Sequence, residues 1–166
     1  EFVDVFGQLV NTHAHAKFLI AGNPHQDVAY SEKIKEKVLS LGLANHVQWL
    51  GFVSDIEKPQ IFAAADIFVH SSYSEGMAMA VLEAMAYGLP CLVTDGCYMA
   101  EAAKNGALVE TSIRQNDLFV AASNLVGSAS KRELIAAKGM KYVRQVHDWS
   151  AIAILCCEHY FEQSAR

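Results

Sequence analysis

Short apolar runs that end in loop residues alternate along this chain with longer segments of helical periodicity. Residues 17–21, 47–50, 66–70, 91–94 and 107–109 are the predicted strands, and residues 31–41, 55–64, 77–87 and 100–105 are the predicted helices between them. Such alternation is typical of βαβ units, whose parallel strands are covered by helices on both faces. The sequence therefore predicts an α/β, Rossmann-like, doubly wound sheet with right-handed crossovers.

The two ends of the chain have helical patterns without strands. Apolar residues recur at helical spacing from Phe2 to Val10, and residues 117–126, 131–146 and 150–161 predict a helical C-terminal tail. No repeat or Pro/Ser-rich linker divides the chain, so residues 1–166 are interpreted as one domain. Because a crossover helix normally follows a strand, an opening helix predicts that the strand before it is missing.

Composition excludes several classes of function. Thirteen basic and eighteen acidic residues give a net charge of -5 with no basic stripe, which argues against a nucleic-acid partner. No apolar run is long enough for a transmembrane segment. The four cysteines form no CxxC pair, so neither a zinc site nor a disulfide framework is indicated, and reduced thiols in a cytoplasmic protein are expected. The adjacent Cys156 and Cys157 are predicted to be packing residues.

The densest motif occupies residues 68–90 and has the order strand, polar loop, helix and stop. Ser72, followed three residues later by Glu75, predicts a capping box, and Gly76 permits a tight turn before a helix that starts at Met77. The free backbone amides from Met77 to Ala80 would then lie at the carboxyl end of the sheet. A helix start at this place favours a phosphate group.

Two carboxylates in this motif are separated by seven residues, Glu75 in the loop and Glu83 in the helix. A carboxylate on a packed helix needs a partner, and a vicinal diol such as that of a ribose offers two hydroxyl donors. Simpler interpretations remain open, in which Glu75 only caps the helix and Glu83 is solvated.

The motif resembles the E-x7-E motif of the retaining GT-B glycosyltransferases, in particular family 4, also called group 1. Glu75-Gly76, the second glutamate, Ala84-Met85-Ala86 and the Gly-x-Pro stop all fall at the spacing of that family. Residues 18–23 and 47–53 are similar to two further strand ends of the family. Trp149 is similar to the tryptophan that begins its closing helix, and it is expected to be a packing residue.

The resemblance implies one half of a GT-B fold, with a role for each residue of a donor site. Glu75 would bind the donor sugar and serve in catalysis, and Glu83 would bind the nucleotide ribose. The amides of Ala78, Met79 and Ala80 would hold the diphosphate. The implied donor-binding residues are Gly22, Phe52, Val53, Glu75, Gly76, Met77, Ala78, Met79, Ala80 and Glu83, with the base near Phe52 and Val53 and the nucleotide approaching at Gly22.

The implied activity is retaining, hexosyl-type transfer from a nucleoside-diphosphate sugar to an acceptor hydroxyl on a sugar, a lipid-linked sugar or another molecule. No metal or cofactor is expected, since the family needs none and no Asp-x-Asp is present.

In the family, an upstream Arg and Lys and an N-terminal acceptor domain complete the enzyme, so this chain alone is expected to be inactive. The full-length protein is expected in the cytoplasm or at the inner membrane surface. The alternative is a binding module that recognises a nucleotide or nucleotide sugar without turnover.

Several residues depart from the family pattern. Ser71 replaces a proline and Ala78 replaces a glycine, while Cys97 and Tyr98 replace a pair of glycines. Tyr98 is expected to crowd a loop that faces the donor sugar. His70, at the end of a predicted strand, either forms a local hydrogen bond or reaches the site.

Overall fold

A computed structural model describes residues 1–23, 25 and 27–164. Its strands are β1 (Phe18–Ala21), β2 (Val47–Gly51), β3 (Phe68–His70), β4 (Cys91–Thr94) and β5 (Val109–Thr111). Its α-helices are α1 (Phe2–Thr12), α2 (Val28–Ser40), α3 (Lys58–Ala63), α4 (Met79–Ala86), α5 (Ala100–Lys104), α6 (Gln115–Val126), α7 (Ala129–Val146) and α8 (Trp149–Ser164). None of the helices in this part of the chain combines the length and the apolar character needed to cross a bilayer.

The strands are all parallel, which confirms the predicted Rossmann-like α/β architecture with a helical C-terminal tail. They form two groups rather than one continuous sheet. β1 pairs with β2, and β4 lies between β3 and β5. A register irregularity between Ile20 and Ala21 places Ala21 opposite Gly51 at the end of the first group.

The first part of the hydrophobic core lies beneath α1. The buried residues Phe2, Phe6 and Leu9 of this helix pack with Leu118 and Leu125 of α6. Partly buried side chains from β1, β2, β3 and β5 pack against the same cluster, so the two strand groups share one core. The amphipathic pattern seen in the sequence thus places α1 across both groups.

The second part of the core surrounds α4. Ala84 and Met85 are fully buried in one cluster with Cys91 and Val93 of β4. α7 covers the helix from the other side, and a Cβ atom at Gly139 would lie 2.9 Å from the Ala107 carbonyl oxygen. Because α4 is covered on two sides, most of its residues are apolar and several are small.

Element boundaries differ from the predicted ones where local hydrogen bonds decide them. α2 begins three residues early because the Asp27 carboxylate accepts the Tyr30 N–H at 2.9 Å. α3 begins three residues late, after a turn in which the Ser54 N–H donates to the Glu57 carboxylate at 2.9 Å. β5 begins at Val109 because the preceding residues still close α5.

The prediction that side chains at the closing helix are packed is wrong. Trp149, the first residue of α8, is 83% exposed, and Cys156 and Cys157 are exposed as well. α8 contacts α7, and the described residues do not cover these three side chains.

Candidate functional site

The predicted site residues follow the carboxyl ends of three strands. Gly22 follows β1, Phe52 and Val53 follow β2, and the loop of residues 71–78 follows β3 and leads into α4. A short 3-10 turn at Asp95–Cys97 follows β4. All of these segments therefore leave the carboxyl ends of parallel strands, which is where open α/β folds bind ligands.

The segments after β1 and β2 meet through their glycines. The Gly22 N–H donates to the Gly51 carbonyl oxygen at 2.9 Å, and Gly51 has a φ of 68°. No described atom lies within 4 Å of the place where a Cβ would stand at either residue. Phe52 is 75% exposed and Val53 is half-buried. The backbone here is therefore open to a ligand, as the predicted roles of these residues require.

The loop after β3 is fastened to the turn after β4. The Glu75 N–H donates to the Gly96 carbonyl oxygen at 2.9 Å, and the Thr94 hydroxyl donates to the Ser72 carbonyl oxygen at 2.5 Å. A Cβ atom at Gly96 would lie 2.4 Å from the Tyr73 carbonyl oxygen, which only glycine avoids. The end of β4 therefore fixes the position of Glu75.

The predicted capping box is wrong. The Ser72 hydroxyl donates to the Ser74 carbonyl oxygen at 3.2 Å, and α4 begins only at Met79, with Ala78 as an N-cap residue that lacks a side-chain hydrogen bond. The bond from the Glu75 N–H to the neighbouring turn holds this residue in the loop. Tertiary contact therefore overrides the local capping signal.

The amides at the start of α4 are only partly available. The Met79 N–H donates to the Met77 carbonyl oxygen at 2.8 Å, so the prediction that this amide is free is wrong. Among the described residues, the N–H groups of Met77, Ala78 and Ala80 have no hydrogen-bond acceptor. Met77, Ala80 and Gly76 are exposed, whereas Ala78 is buried. These unpaired amides near the helix start are therefore the donors left for an anionic ligand.

Glu75 is paired with His70. The His70 Nε2 lies 2.8 Å from Glu75 Oε1, and both side chains are 30% exposed. The hydrogen bond from His70 is the main cause that holds the pKa of the Glu75 carboxyl below its ordinary value. Since an ionised carboxylate only accepts hydrogen bonds, Nε2 carries the donated hydrogen. His70 thus both bonds locally and belongs to the site.

Glu83 is paired with Lys58, a residue that the sequence interpretation missed. The Lys58 ammonium lies 3.1 Å from Glu83 Oε1, 2.9 Å from Glu83 Oε2 and 2.9 Å from Asp55 Oδ1. These two carboxylates raise the pKa of Lys58 to about 12, Asp55 contributing most. The spacing of Asp55 and Lys58 is readable from the sequence, whereas the contact with Glu83 depends on how α3 packs beside α4.

Tyr98 has an unusual backbone conformation beside this site. Among the described residues it is the one non-glycine with a positive φ, at 54°, and its side chain is 72% exposed. Its neighbour Cys97 is buried, with its thiol 3.5 Å from the His70 carbonyl oxygen. The residues that replace the family's two glycines thus include one core residue and one exposed aromatic ring.

Fold and site together define a class of protein. The chain is a Rossmann-like domain whose carboxyl edge offers open glycine segments, unpaired amides near a helix start and two carboxylates, each paired with a basic side chain. Such an edge suits a ligand that carries both phosphate and hydroxyl groups. The sequence profile of the family "Glycosyl transferases group 1" matches residues 1–140, and the chain belongs to this family.

A curated relative shares sequence over most of this chain. The mannosylfructose-phosphate synthase of Agrobacterium fabrum is 30% identical over 157 residues, which are 91% of this chain but 35% of that protein. The chain thus spans about a third of the length of this relative.

Solved structures share the fold. Anabaena Alr3699/HepE, in complex with UDP and glucose, has a TM-score of 0.80 and 23% identity, and the match covers 96% of this chain and 43% of that one. The C-terminal domain of the group 1 glycosyl transferase LpcC from Francisella tularensis has a TM-score of 0.79 and 21% identity, with 89% of this chain and 78% of that chain covered.

Proposed function

We propose that this chain is the C-terminal, donor-binding domain of a retaining GT-B glycosyltransferase of family 4 that uses a nucleoside-diphosphate sugar. The observation that carries the proposal is the arrangement of Glu75 and Glu83 on either side of the α4 start, with both carboxylates accessible and the amides of Ala78 and Ala80 unpaired between them along the chain. The structural similarity to an isolated C-terminal domain of the same family supports it.

The parts of the ligand are assigned by chemistry. A diphosphate fits the Ala78 and Ala80 amides, because a helix start offers donors and a partial positive charge. The ribose diol fits the Glu83 carboxylate, and a hydroxyl of the donor sugar fits Glu75. The open backbone around Phe52 and Val53 accommodates the base, with Gly22 leaving room for the nucleotide. UDP in the Anabaena structure makes a uracil nucleotide the first ligand to test.

Transfer needs the bond between the anomeric carbon and the diphosphate to break. Negative charge then grows on the leaving phosphate, and donors already directed at it lower the barrier. In this chain the helix-start amides supply part of that stabilisation, while Glu75, kept ionised by His70, orients the sugar. The binding site for the acceptor molecule, together with an added Arg and Lys, would come from upstream parts of the protein, so the isolated chain should bind the donor without transferring its sugar.

The proposal is tested by titrating the domain with UDP, GDP and ADP and with their glucose or mannose conjugates, followed by calorimetry or NMR. We expect dissociation constants from high micromolar to millimolar, which correspond to roughly 4 to 6 kcal/mol. Addition of EDTA should leave them unchanged, because we propose metal-independent binding. Absence of binding for every nucleotide, or a strict need for magnesium, would refute the proposal.

The full-length protein decides between an enzyme and a binding module. Incubated with the selected donor and a panel of sugar and lipid-linked acceptors in the absence of added metal, it should release nucleoside diphosphate and form a product with retained anomeric configuration. Tight donor binding without transfer or hydrolysis across the whole panel would instead favour a binding module.

A further inference from the structure

Lys58 saturates its hydrogen-bonding capacity on two carboxylates. Its ammonium has three N–H donors and lies within 3.1 Å of three oxygens, two of Glu83 and one of Asp55. Since both Glu83 oxygens are within reach of the same nitrogen, the ammonium stands in front of the carboxylate, between its two oxygens. This is a two-oxygen contact rather than a contact with one end of the group.

A ribose diol would need the same side of Glu83. Adjacent hydroxyls bind a carboxylate most strongly when each donates to one oxygen, which brings both donors into the space between the oxygens. The remaining lone pairs of the two oxygens point away from each other and cannot both meet adjacent hydroxyls. Lys58 and the diol therefore cannot make their full contacts with Glu83 at the same time.

We infer that Lys58 is a specificity-determining residue, which competes with the ribose hydroxyls for Glu83 and thereby limits how strongly the domain prefers a ribonucleotide. The inference rests on the proposed function, because it takes Glu83 as the ribose ligand. When the diol binds, the ammonium leaves Glu83 and stays on Asp55, its second partner at 2.9 Å. Because the ammonium keeps its ion pair with Asp55, its release from Glu83 costs little free energy.

The exposure of the three side chains fits such an exchange. Asp55 is 93% exposed, and Lys58 and Glu83 are 29% and 34% exposed. An ion pair of this exposure is weak and is screened by salt, so a ligand can displace it without moving the backbone. The effect on affinity should accordingly be modest, about two- to fivefold.

The test measures the dissociation constants of UDP and 2′-deoxy-UDP in each variant. The ratio used is the dissociation constant of 2′-deoxy-UDP divided by that of UDP, so a larger ratio means a stronger preference for the ribonucleotide. Changes in the attraction of the diphosphate act on both ligands and cancel in this ratio. Lys58→Met should raise the ratio about two- to fivefold over that of the unmodified domain. Asp55→Asn should lower it, because the ammonium then has Glu83 as its main partner. Lys35→Met, which removes a comparable ion pair with Glu32 on α2, should leave it unchanged.

Salt gives an independent readout of the same competition. Raising the ionic strength should increase the ratio of the unmodified domain towards that of Lys58→Met, whose own ratio should stay constant. A ratio that falls or stays unchanged in Lys58→Met overturns the inference, since Lys58 would then support the ribose contact or play no part in it. Glu83→Ala separates this from failure of the proposed function, because alanine offers the ribose hydroxyls no acceptor. If this variant does not bring the ratio close to one, Glu83 is not the ribose ligand and the inference is wrong, whereas a domain that binds no nucleotide at all would refute the proposed function.

Discussion

Replacing Glu75 by glutamine tests whether the loop carboxylate recognises the sugar and not the nucleotide. The substitution keeps the shape of the side chain but removes its charge. Its backbone bond to Gly96 is unaffected, so the loop should keep its position. The bond from His70 Nε2, 2.8 Å long, would then be accepted by an uncharged amide oxygen and would be weaker.

The size of the effect follows from the accessibility of the site. A hydrogen bond to a charged group contributes roughly 1.5 to 3 kcal/mol when it is shielded from water. The Glu75 side chain is 30% exposed, so screening should reduce this contribution to about 1 to 2 kcal/mol. The affinity for a nucleotide sugar should therefore fall about five- to thirtyfold, whereas the affinity for the free nucleoside diphosphate should stay within about twofold.

Isothermal titration of UDP and UDP-glucose, or of the matching pair for another base, measures both affinities in one preparation. Glu133→Gln, an exposed change on α7, is the matched control and should alter neither. If Glu75→Gln weakened UDP and UDP-glucose equally, the assignment of Glu75 to the sugar would be refuted.

Three further outcomes are expected. Glu83→Ala should weaken nucleotide and nucleotide sugar alike, by about 1 to 3 kcal/mol in the same titrations, because both ligands contain the ribose. Gly96→Ala should destabilise the fold by about 1 to 3 kcal/mol in urea unfolding, since its Cβ would meet a backbone oxygen 2.4 Å away, while Gly76→Ala, with no atom within 4 Å, should not. The pKa of Glu75 lies below its ordinary 4.5, so its pairing stabilises the fold above that pH and this contribution is lost as pH falls through the lowered pKa. His70→Phe, which removes the hydrogen-bond donor, should therefore lower the free energy of unfolding at pH 7 and lower it less below pH 4.5. A destabilisation that stays constant down to pH 3 would contradict this.

The fold was predictable because periodicity is set by burial. The predicted strand 91–94 coincides with β4, whose four residues are all buried and apolar or small. The helix of residues 2–12 was readable from apolar residues that now lie in the core. At element ends the local signals compete with contacts from distant residues, which is why the helix was predicted to start at Met77, two residues before its observed start at Met79.

The site was only partly predictable for the same reason. Position at the carboxyl edge follows from topology, so the segments at Gly22, Phe52 and Glu75 were assigned to the correct edge of the sheet. The basic partners of the carboxylates were harder to foresee. His70 is five residues from Glu75 and was a candidate, whereas Lys58 is 25 residues from Glu83. A contact of that separation is created by the packing of α3 beside α4 and leaves no periodic signal.

The division of the strands into two groups leads to the last prediction. β1 and β3 are both edge strands, yet their side chains pack in one core beneath α1. The Tyr73 hydroxyl donates to the Glu1 carboxylate at 3.0 Å, which places the start of α1 beside the loop that follows β3. A segment leading into α1 would thus arrive at the carboxyl edge of the sheet. A parallel strand ending there would pair with the free edges of β1 and β3, and a right-handed crossover through α1 is the usual connection for it.

Adding such a strand on the N-terminal side of α1 should therefore slow amide hydrogen exchange in β1 and β3 more than in β5, which lies at the far edge of its group. The same extension should raise the stability of the domain, because edge strands gain hydrogen-bond partners and α1 gains a covered face. It should also tighten diphosphate binding if the added strand end carries basic residues, since these would lie at the edge where the Ala78 and Ala80 amides are free. Unchanged exchange in β1 and β3, with protection confined to the added residues, would show that the gap between the two groups is not the place of a strand.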